Sequence, residues 1–553
     1  MKFSEIINIS NSSNSFYSSS PDIVFARSTR SLYVIWTKST GIFGTWEQIM
    51  KHKENKSESI VYRISKDMGK TFGAVTTFYN FKEPTGIGGP YVASSAPKHG
   101  GNSVFLTWVD KTNPKKFDVY FSRNSDDGSR FEEPLIVSDD ETGICSSSKS
   151  SDLQRFVEGK EKTYDTIRPS IASASDDDIC VMWAEMTTRR VAGVVKANDV
   201  PRYEISSRIF FKVSADGGRT FGRKINILNM ETSSSSPQPF LATSLIASGD
   251  NVYIIIYPLG AESENSSVRL FRSADKGLTF EEKKFLNGKI LQSPRVRSAA
   301  AHVAPAQADS LYLMLALGAK GMRIPTNLKY FIVKSTDAGN SFSDPVQVAD
   351  KIPGLLHSSF SVSNNGNNVY VAYADPGASI DSMFEEIEGD ITDPQELIEE
   401  LEDEDTAGFI LVRSSTDGGN NFNEPIRLKD SNDIGPVLSM MTNIVLLPFG
   451  DNGVCVLKTR YNSTDNKADS EVLLWKSANA GQSFEGPIKI NGEITNSNDP
   501  NGVVLENHED DYKQQNGTIS GDSDSDLTAL CLVWGARNVD NGNEDVYFRR
   551  LRI

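Results

Sequence analysis

The stretch "SADGGRTF", Ser214 to Phe221, is one of seven related octets in this chain. "SKDMGKTF" begins at Ser65, "NSDDGSRF" at Asn124 and "SADKGLTF" at Ser273. "STDAGNSF" begins at Ser335, "STDGGNNF" at Ser415 and "SANAGQSF" at Ser477. The consensus is S-x-D-x-G-x-[ST]-F. Its third position is held by Asp67, Asp126, Asp216, Asp275, Asp337, Asp417 and, in the last copy, Asn479. A motif repeated in register marks a repeated supersecondary unit, and such units bury their apolar faces by stacking on one another.

Each octet lies between two alternating runs, such as "RIFFKVS" before and "FGRKINIL" after. Alternation on both sides of a Gly-containing turn reads as a β-hairpin. Two more strand-like runs lie upstream in every unit. One is usually entered through a proline (Pro21, Pro90, Pro169, Pro239, Pro294, Pro436, Pro500), and the other resembles "LYVIW", "VFLTW" or "ICVMW". Each unit is therefore four strands, a-b-c-d, with the octet at the c–d turn. Four-stranded units repeated about an axis make a propeller. The chain ends on "DVYFRRLRI", a c strand without an octet, and starts on "KFSEIINIS", a d strand with nothing before it. Pairing of the two completes an eighth blade and removes an exposed sheet edge. The expected fold is all-β, a single eight-bladed β-propeller over residues 1–553, with an acidic insert at 376–406 in a loop of blade 6.

Composition fits a large packed protein: 553 residues, 38% hydrophobic and 24% charged. The net charge of −16 argues against a nucleic-acid partner. Much of it comes from Asp381 to Asp405, which holds 13 acids and no Lys or Arg. Four cysteines without a CxxC or Cys/His cluster argue against a disulfide framework or a zinc site. Cys180, Cys455 and Cys531 fall in apolar runs and read as small buried hydrophobes. No apolar run has membrane-spanning length. The N-terminus reads as a strand and not as a signal peptide, so a cell-surface or extracellular location requires an export signal removed from this chain.

The octet resembles the Asp-box, or BNR repeat, of the sialidase superfamily, and the resemblance covers essentially the whole chain. It implies a propeller and a glycan-related role: binding module, glycoside hydrolase or receptor ectodomain. The octet's own residue chemistry is structural. Its Asp accepts turn amides, its Gly permits positive φ, its hydroxyl closes a second bond and its Phe packs under the turn. Calcium at the octets is not expected, because each turn offers too few oxygen ligands.

In a propeller the a–b and c–d turns share one face, and the b–c and d–a loops share the other. The octets thus label the face opposite the expected site. Sialidases hold a substrate carboxylate with three arginines, use a Tyr/Glu nucleophile pair and an Asp acid/base, and have six blades. An Arg fork suits a carboxylate, and a paired acid activates a Tyr. The "MRIP" at Met322 to Pro325 follows a b strand here, whereas the family's R-I-P enters an a strand. The ligand-binding candidates are Arg168, Arg295, Arg323, Asp165 and Asp375. The catalytic candidates are Glu185 and Asp110, at matching b-strand ends, with Tyr257; two such carboxylates are what glycoside hydrolysis uses.

The insert "DPQELIEELEDED" reads as a short helix with Asp393 as N-cap, standing over the channel mouth. It is a candidate docking surface for a basic protein at residues 381–405. "DSDSD" at Asp522 to Asp526 resembles a calcium loop but lacks the Gly of its sixth position. No cofactor is otherwise expected. The leading functional expectation is an extracellular or surface glycan- or polymer-binding module. The alternatives are a sialidase-like glycoside hydrolase and a protein-interaction scaffold using the acidic loop.

Overall fold

A computed structural model describes residues 2–11, 16–40, 57–81, 92–96, 101–110, 118–124, 128–138, 162–190, 203–234, 240–259, 269–283, 296–303, 309–317, 328–352, 358–363, 365–375, 409–428, 444–464, 467–492, 494, 497–505, 529–537 and 544–552. The described strands form eight antiparallel four-stranded blades, each in the order a-b-c-d. Blade 1 is Phe16–Ala26, Ser31–Thr40, Glu58–Ser65 and Thr76–Phe81. Blade 3 is Lys162–Ser173, Ile179–Arg190, Tyr203–Ser214 and Ile225–Ser234. Blade 7 is Ile444–Phe449, Gly453–Thr464, Lys467–Ser477 and Glu485–Lys489. The a strand of each blade packs beside that of the next, and the a strand of blade 8 returns to that of blade 1, so the ring closes.

The terminal strands meet as expected. Blade 8 takes its a, b and c strands from Ser497–Leu505, Ala529–Arg537 and Glu544–Arg552. Its d strand is the N-terminus in two short pieces, with Phe3 opposite Leu551 and Ile7 opposite Phe548. The intervening residues leave the ladder, but Ser4 still binds Arg550 through both backbone and hydroxyl.

The b strands carry the core, and their alternation decides which seam each residue fills. Positions along b are counted from the residue paired with the octet's first residue, such as Ile179 opposite Ser214 or Val454 opposite Ser477. Odd positions face the preceding blade and even positions the following one. Leu32, Val34 and Trp36 of blade 1 pack with Cys531, Val533 and Phe548 of blade 8, whereas Tyr33 and Ile35 pack with Leu106 and Trp108 of blade 2. Cys180, Cys455 and Cys531 are buried free thiols. Burial pushes the latter two up to about 12, as befits apolar packing groups.

The octets are closed hydrogen-bonded turns. In blade 3 the Asp216 carboxylate accepts from Thr220 N (2.9 Å), Thr220 Oγ1 (2.6 Å) and Ser214 Oγ (2.8 Å), while Gly218 N donates to Ser214 Oγ (2.8 Å). The same contacts recur at Asp67, Asp275 and Asp337. In blade 6 the Asn421 side chain replaces the hydroxyl donor to Asp417. In blade 7 the direction reverses, and Asn479 Nδ2 donates to Ser483 Oγ (2.9 Å). The hydroxyl of Thr220, then its amide, pulls the Asp216 carboxyl down to about 2. Asp126 lies outside the described residues.

Two details go beyond the expectation. First, positive φ is needed at two successive positions, not one: Gly217 and Gly218 in blade 3, Lys276 and Gly277 in blade 4, Ala338 and Gly339 in blade 5. Second, the octet Phe packs on the preceding blade. Phe72 meets Phe548 (4.8 Å between centroids), Phe221 meets Phe121 (5.0 Å) and Phe280 meets Phe211 (4.9 Å). The turn therefore staples neighbouring blades. A Cβ on Gly218 would lie 2.4 Å from the Phe121 ring.

The a–b turns join the octets on the same face. Gly217 N donates to Asp177 O, Lys276 N to Asp250 O and Ala338 N to Asp309 O. Links also run between blades: Asp176 accepts from Asn102 N and Ser103 N, and Lys276 pairs with Asp178 at 3.0 Å.

Three of the prolines expected at a-strand entrances, Pro21, Pro169 and Pro500, sit inside the strands. The register slips between Ser19 and Asp22, between Ile167 and Ser170, and between Asn498 and Asn501, bracketing Pro21, Pro169 and Pro500. Proline cannot donate to the ladder, so a bulge is where a strand tolerates it. The residues before these three prolines thus belong to the strand, and Pro90, Pro239, Pro294 and Pro436 lie outside the described residues.

Candidate functional site

The seventh position of strand b lies towards its b–c end. It is Lys38, Asp110, Glu185, Pro258, Leu317, Asp375, Arg460 and Ala536 in blades 1 to 8. Asp110 and Glu185, matched in the sequence as b-strand ends, and Asp375 therefore occupy one ring position in blades 2, 3 and 6. Being odd, it turns each side chain towards the seam with the preceding blade.

Asp110 is buried, and its carboxylate accepts the Tyr79 hydroxyl from the d strand of blade 1. Burial first, then this hydrogen bond, holds the Tyr79 phenol well above its usual range. Rings surround the pair. Trp108 stacks on Tyr120 (5.7 Å, 14°), and Tyr79 lies 5.0 Å from Trp108. Asp118 stands opposite Asp110 across the b–c hairpin and accepts from Ser138 Oγ at 3.3 Å.

Glu185 is half-buried and committed differently. It accepts from Trp183 Nε1 (3.3 Å) and from Lys224 Nζ (3.4 Å), whose ammonium lies 4.0 Å over the Phe210 ring. The two candidate carboxylates thus have separate partners, a phenol and an ammonium. Asp375 ends strand b of blade 6 opposite Phe409. Burial pushes Tyr373, two residues before it, up to about 12.

Blade 7 carries the opposite charge. Arg460 is buried and pairs with Glu471, which also binds Lys489 Nζ at 2.9 Å. Burial opposes ionisation of Glu471, but the bonds from Lys489 and Arg460 outweigh it and lower its carboxyl.

Blade 3 is also tall. Its b strand runs on past Glu185 to Arg190, paired with both neighbours, and Asp165 and Thr166 face Met186 and Glu185. Arg168 lies in the bulge between Ile167 and Ser170. For Arg168 and Asp165, and for Tyr257 at the sixth b position of blade 4 opposite Ala242, the backbone alone is described. Arg295 and Arg323 lie outside the described residues. So do the acidic insert 376–406 with its expected helix, and Asp522 to Asp526. Among the described residues no group of His, Cys, Asp or Glu is arranged to hold a metal, and no helix is long and apolar enough to cross a membrane.

The sequence reading missed Tyr79 and Lys224. Tyr79 is on the d strand of blade 1 and Lys224 stands just before that of blade 3, a part of the blade that in the sequence reads only as the return of the hairpin. The signal available was local: "FYNF" and "GRKI" place a ring or a cation just after the octet, within reach of the neighbouring b strand.

No family model and no curated protein matches this chain. Solved structures similar to it include a polysaccharide lyase, an ulvan lyase described as a new family, at 13% identity and TM-score 0.40, covering 82% of this chain and 90% of that one. An α-L-arabinanase of Penicillium chrysogenum is similar at 10% identity and TM-score 0.33, covering 68% and 94%. The phage phi92 endosialidase is similar at 11% and 0.32, covering 84% and 67%. The fold assignment rests on this chain's own strand pairing.

Proposed function

We propose that this chain is a glycan- or polymer-binding propeller, acting outside the cell or at its surface, whose ligand lies across the face opposite the octets. One observation carries the reading. At the seventh b position, towards the b–c end of the strand, five of the eight blades carry a charged residue, and rings stand beside it in blades 2 and 3. A polyhydroxylated ligand is recognised by a few fixed hydrogen-bonding groups set among apolar and aromatic surface. Arg168, on the inner strand of the tall blade 3, is the assigned anchor. The test is a glycan array probed with the wild type and with Arg168→Ala. Retention of a glycan by the wild type and its loss in the variant supports the reading. An array on which the wild type retains nothing overturns it.

A glycoside hydrolase is the second reading, favoured by the Tyr79–Asp110 contact. A phenol hydrogen-bonded to a buried carboxylate is a nucleophile with a base beside it. Glu185, at the matching position of the next blade, supplies the second carboxylate. Aryl glycosides, a sialoside among them, test it directly. Turnover that drops at least about a hundredfold in Asp110→Asn supports it; a wild type inert on every substrate removes it.

A further inference from the structure

Three arginines occupy one place in the repeat. Arg63, Arg413 and Arg549 stand on the c strands of blades 1, 6 and 8, opposite the third b residues Val34, Val371 and Leu532. Each makes the same pair of bonds. Its Nε donates to a carbonyl of its own blade: Gly73 O (2.6 Å), Asn423 O (2.6 Å) and Ser4 O (3.2 Å). Its Nη1 donates to a carbonyl at the d strand of the preceding blade: Ile9 O (3.0 Å), Val348 O (3.1 Å) and Ile490 O (2.6 Å). A planar guanidinium holds two such acceptors in a fixed geometry, which a lysine does not.

Two of the three grip the N-terminal segment. Arg549 binds Ser4 and lies 4.5 Å from the centre of the Phe3 ring, while Arg63 binds Ile9 from blade 1. The other d strands follow their c strands through an octet turn, which tethers them. This one lies at the other end of the chain from its c strand. Its ladder is also short, with Lys2, Phe3, Ile7 and Asn8 paired to the c strand. The amides of Ser4, Ile9 and Ser10 add bonds to Arg550 O and Val546 O. Ile9 is buried in the seam with blade 1.

We propose that residues 2–11 form a strap that opens from the ring as one unit, and that Arg63 and Arg549 are the clasps that set how often it opens. Native proteins open locally in contiguous cooperative units, and elements with few backbone bonds open most easily. The strap has a short ladder and no hairpin to hold it in place. The clasps couple its two ends, because Arg549 acts at Ser4 and Arg63 at Ile9. Opening bares the outer edge of Glu544–Arg552, a strand of 9 residues. An unpaired edge of that length is a template for pairing with another chain, and the clasps keep it covered. Arg413 makes the same bonds around a tethered d strand, so it leaves the strap untouched.

The experiment is native-state amide hydrogen exchange of the full chain, comparing wild type with Arg63→Met, Arg549→Met and Arg413→Met. Losing hydrogen bonds from a charged donor raises the open population of the strap by about tenfold or more. The expected result is that Ser4, Ile9 and Ser10 exchange faster together, by about that factor, in both Arg63→Met and Arg549→Met. In Arg413→Met they keep the wild-type rate. Where a Met variant fails to fold, Arg→Lys at the same position keeps the charge, loses the two-acceptor fork and reads the same comparison. Acceleration confined to the end nearest the changed residue overturns the proposal, because the strap is then not one unit. So does equal acceleration in Arg413→Met, because the strap then opens only with the whole ring, and so does no acceleration at all.

Discussion

The two faces of the ring are built on opposite rules. On the octet face one turn is used repeatedly, and its polar groups are satisfied inside the turn or by an adjacent a–b turn. On the b–c face the equivalent ring position changes from blade to blade: lysine, aspartate, glutamate, proline, leucine, aspartate, arginine, alanine. Repetition is what a stabilising device allows, because each copy solves the same packing problem. Variation is what recognition requires, because a ligand has no eightfold symmetry. The difference also corrects the idea of the octet as a self-contained turn. Its Phe and Gly belong to the seam, and in blades 1, 3 and 4 the turn rests on the preceding blade's c strand.

The contrast is broken most severely at Gly218. Gly218→Ala combines strained positive φ with a collision on Phe121, and an expected loss of about 2–4 kcal/mol follows from the two costs together. Gly249, also at positive φ but with open space around it, is the control: Gly249→Ala costs about 1–2 kcal/mol from φ alone. Equal losses in urea unfolding of the two variants would falsify the staple.

A middle-sized effect is expected at the octet acid. Asp216→Ala removes three accepted hydrogen bonds and costs about 1–3 kcal/mol, whereas Asp216→Asn costs about 1 or less, since Asn479 already serves in blade 7. The aspartates also set the acid limit. Asp216 and Asp337 are held at about 2 in the fold, chiefly by the Thr220 and Ser341 hydroxyls. Depressed carboxyls give stability that is whole above about pH 4 and disappears towards pH 2. Thermal melts across that range should fall for the wild type and fall less for Asp216→Asn; parallel curves would count against it.

The smallest stability effect belongs to the rim. Lys224→Met breaks one partly exposed pair with Glu185 and should cost less than about 1 kcal/mol. On the functional side the same change frees a carboxylate beside Trp183, so glycan retention should shift several-fold at nearly constant melting temperature. A large melting loss with unaltered retention would assign Lys224 to the scaffold.

The sequence alone determined the blade number, the strand order within each blade and the closure by the termini. All of these are periodic, and period is a property of local residue order: alternation makes strands, and seven octets count the hairpins. It also picked Asp110, Glu185 and Asp375 from one ring position, because the end of an apolar run is visible in one dimension. Only the tertiary structure decided what those residues touch. Tyr79 meets Asp110 and Phe72 meets Phe548 across a seam between blades, and no spacing within one repeat encodes which side chains face each other there. Lys458 lies between these cases. Its type stands in "VCVLK" for anyone to read, but its burial is fixed by the packing of two sheets.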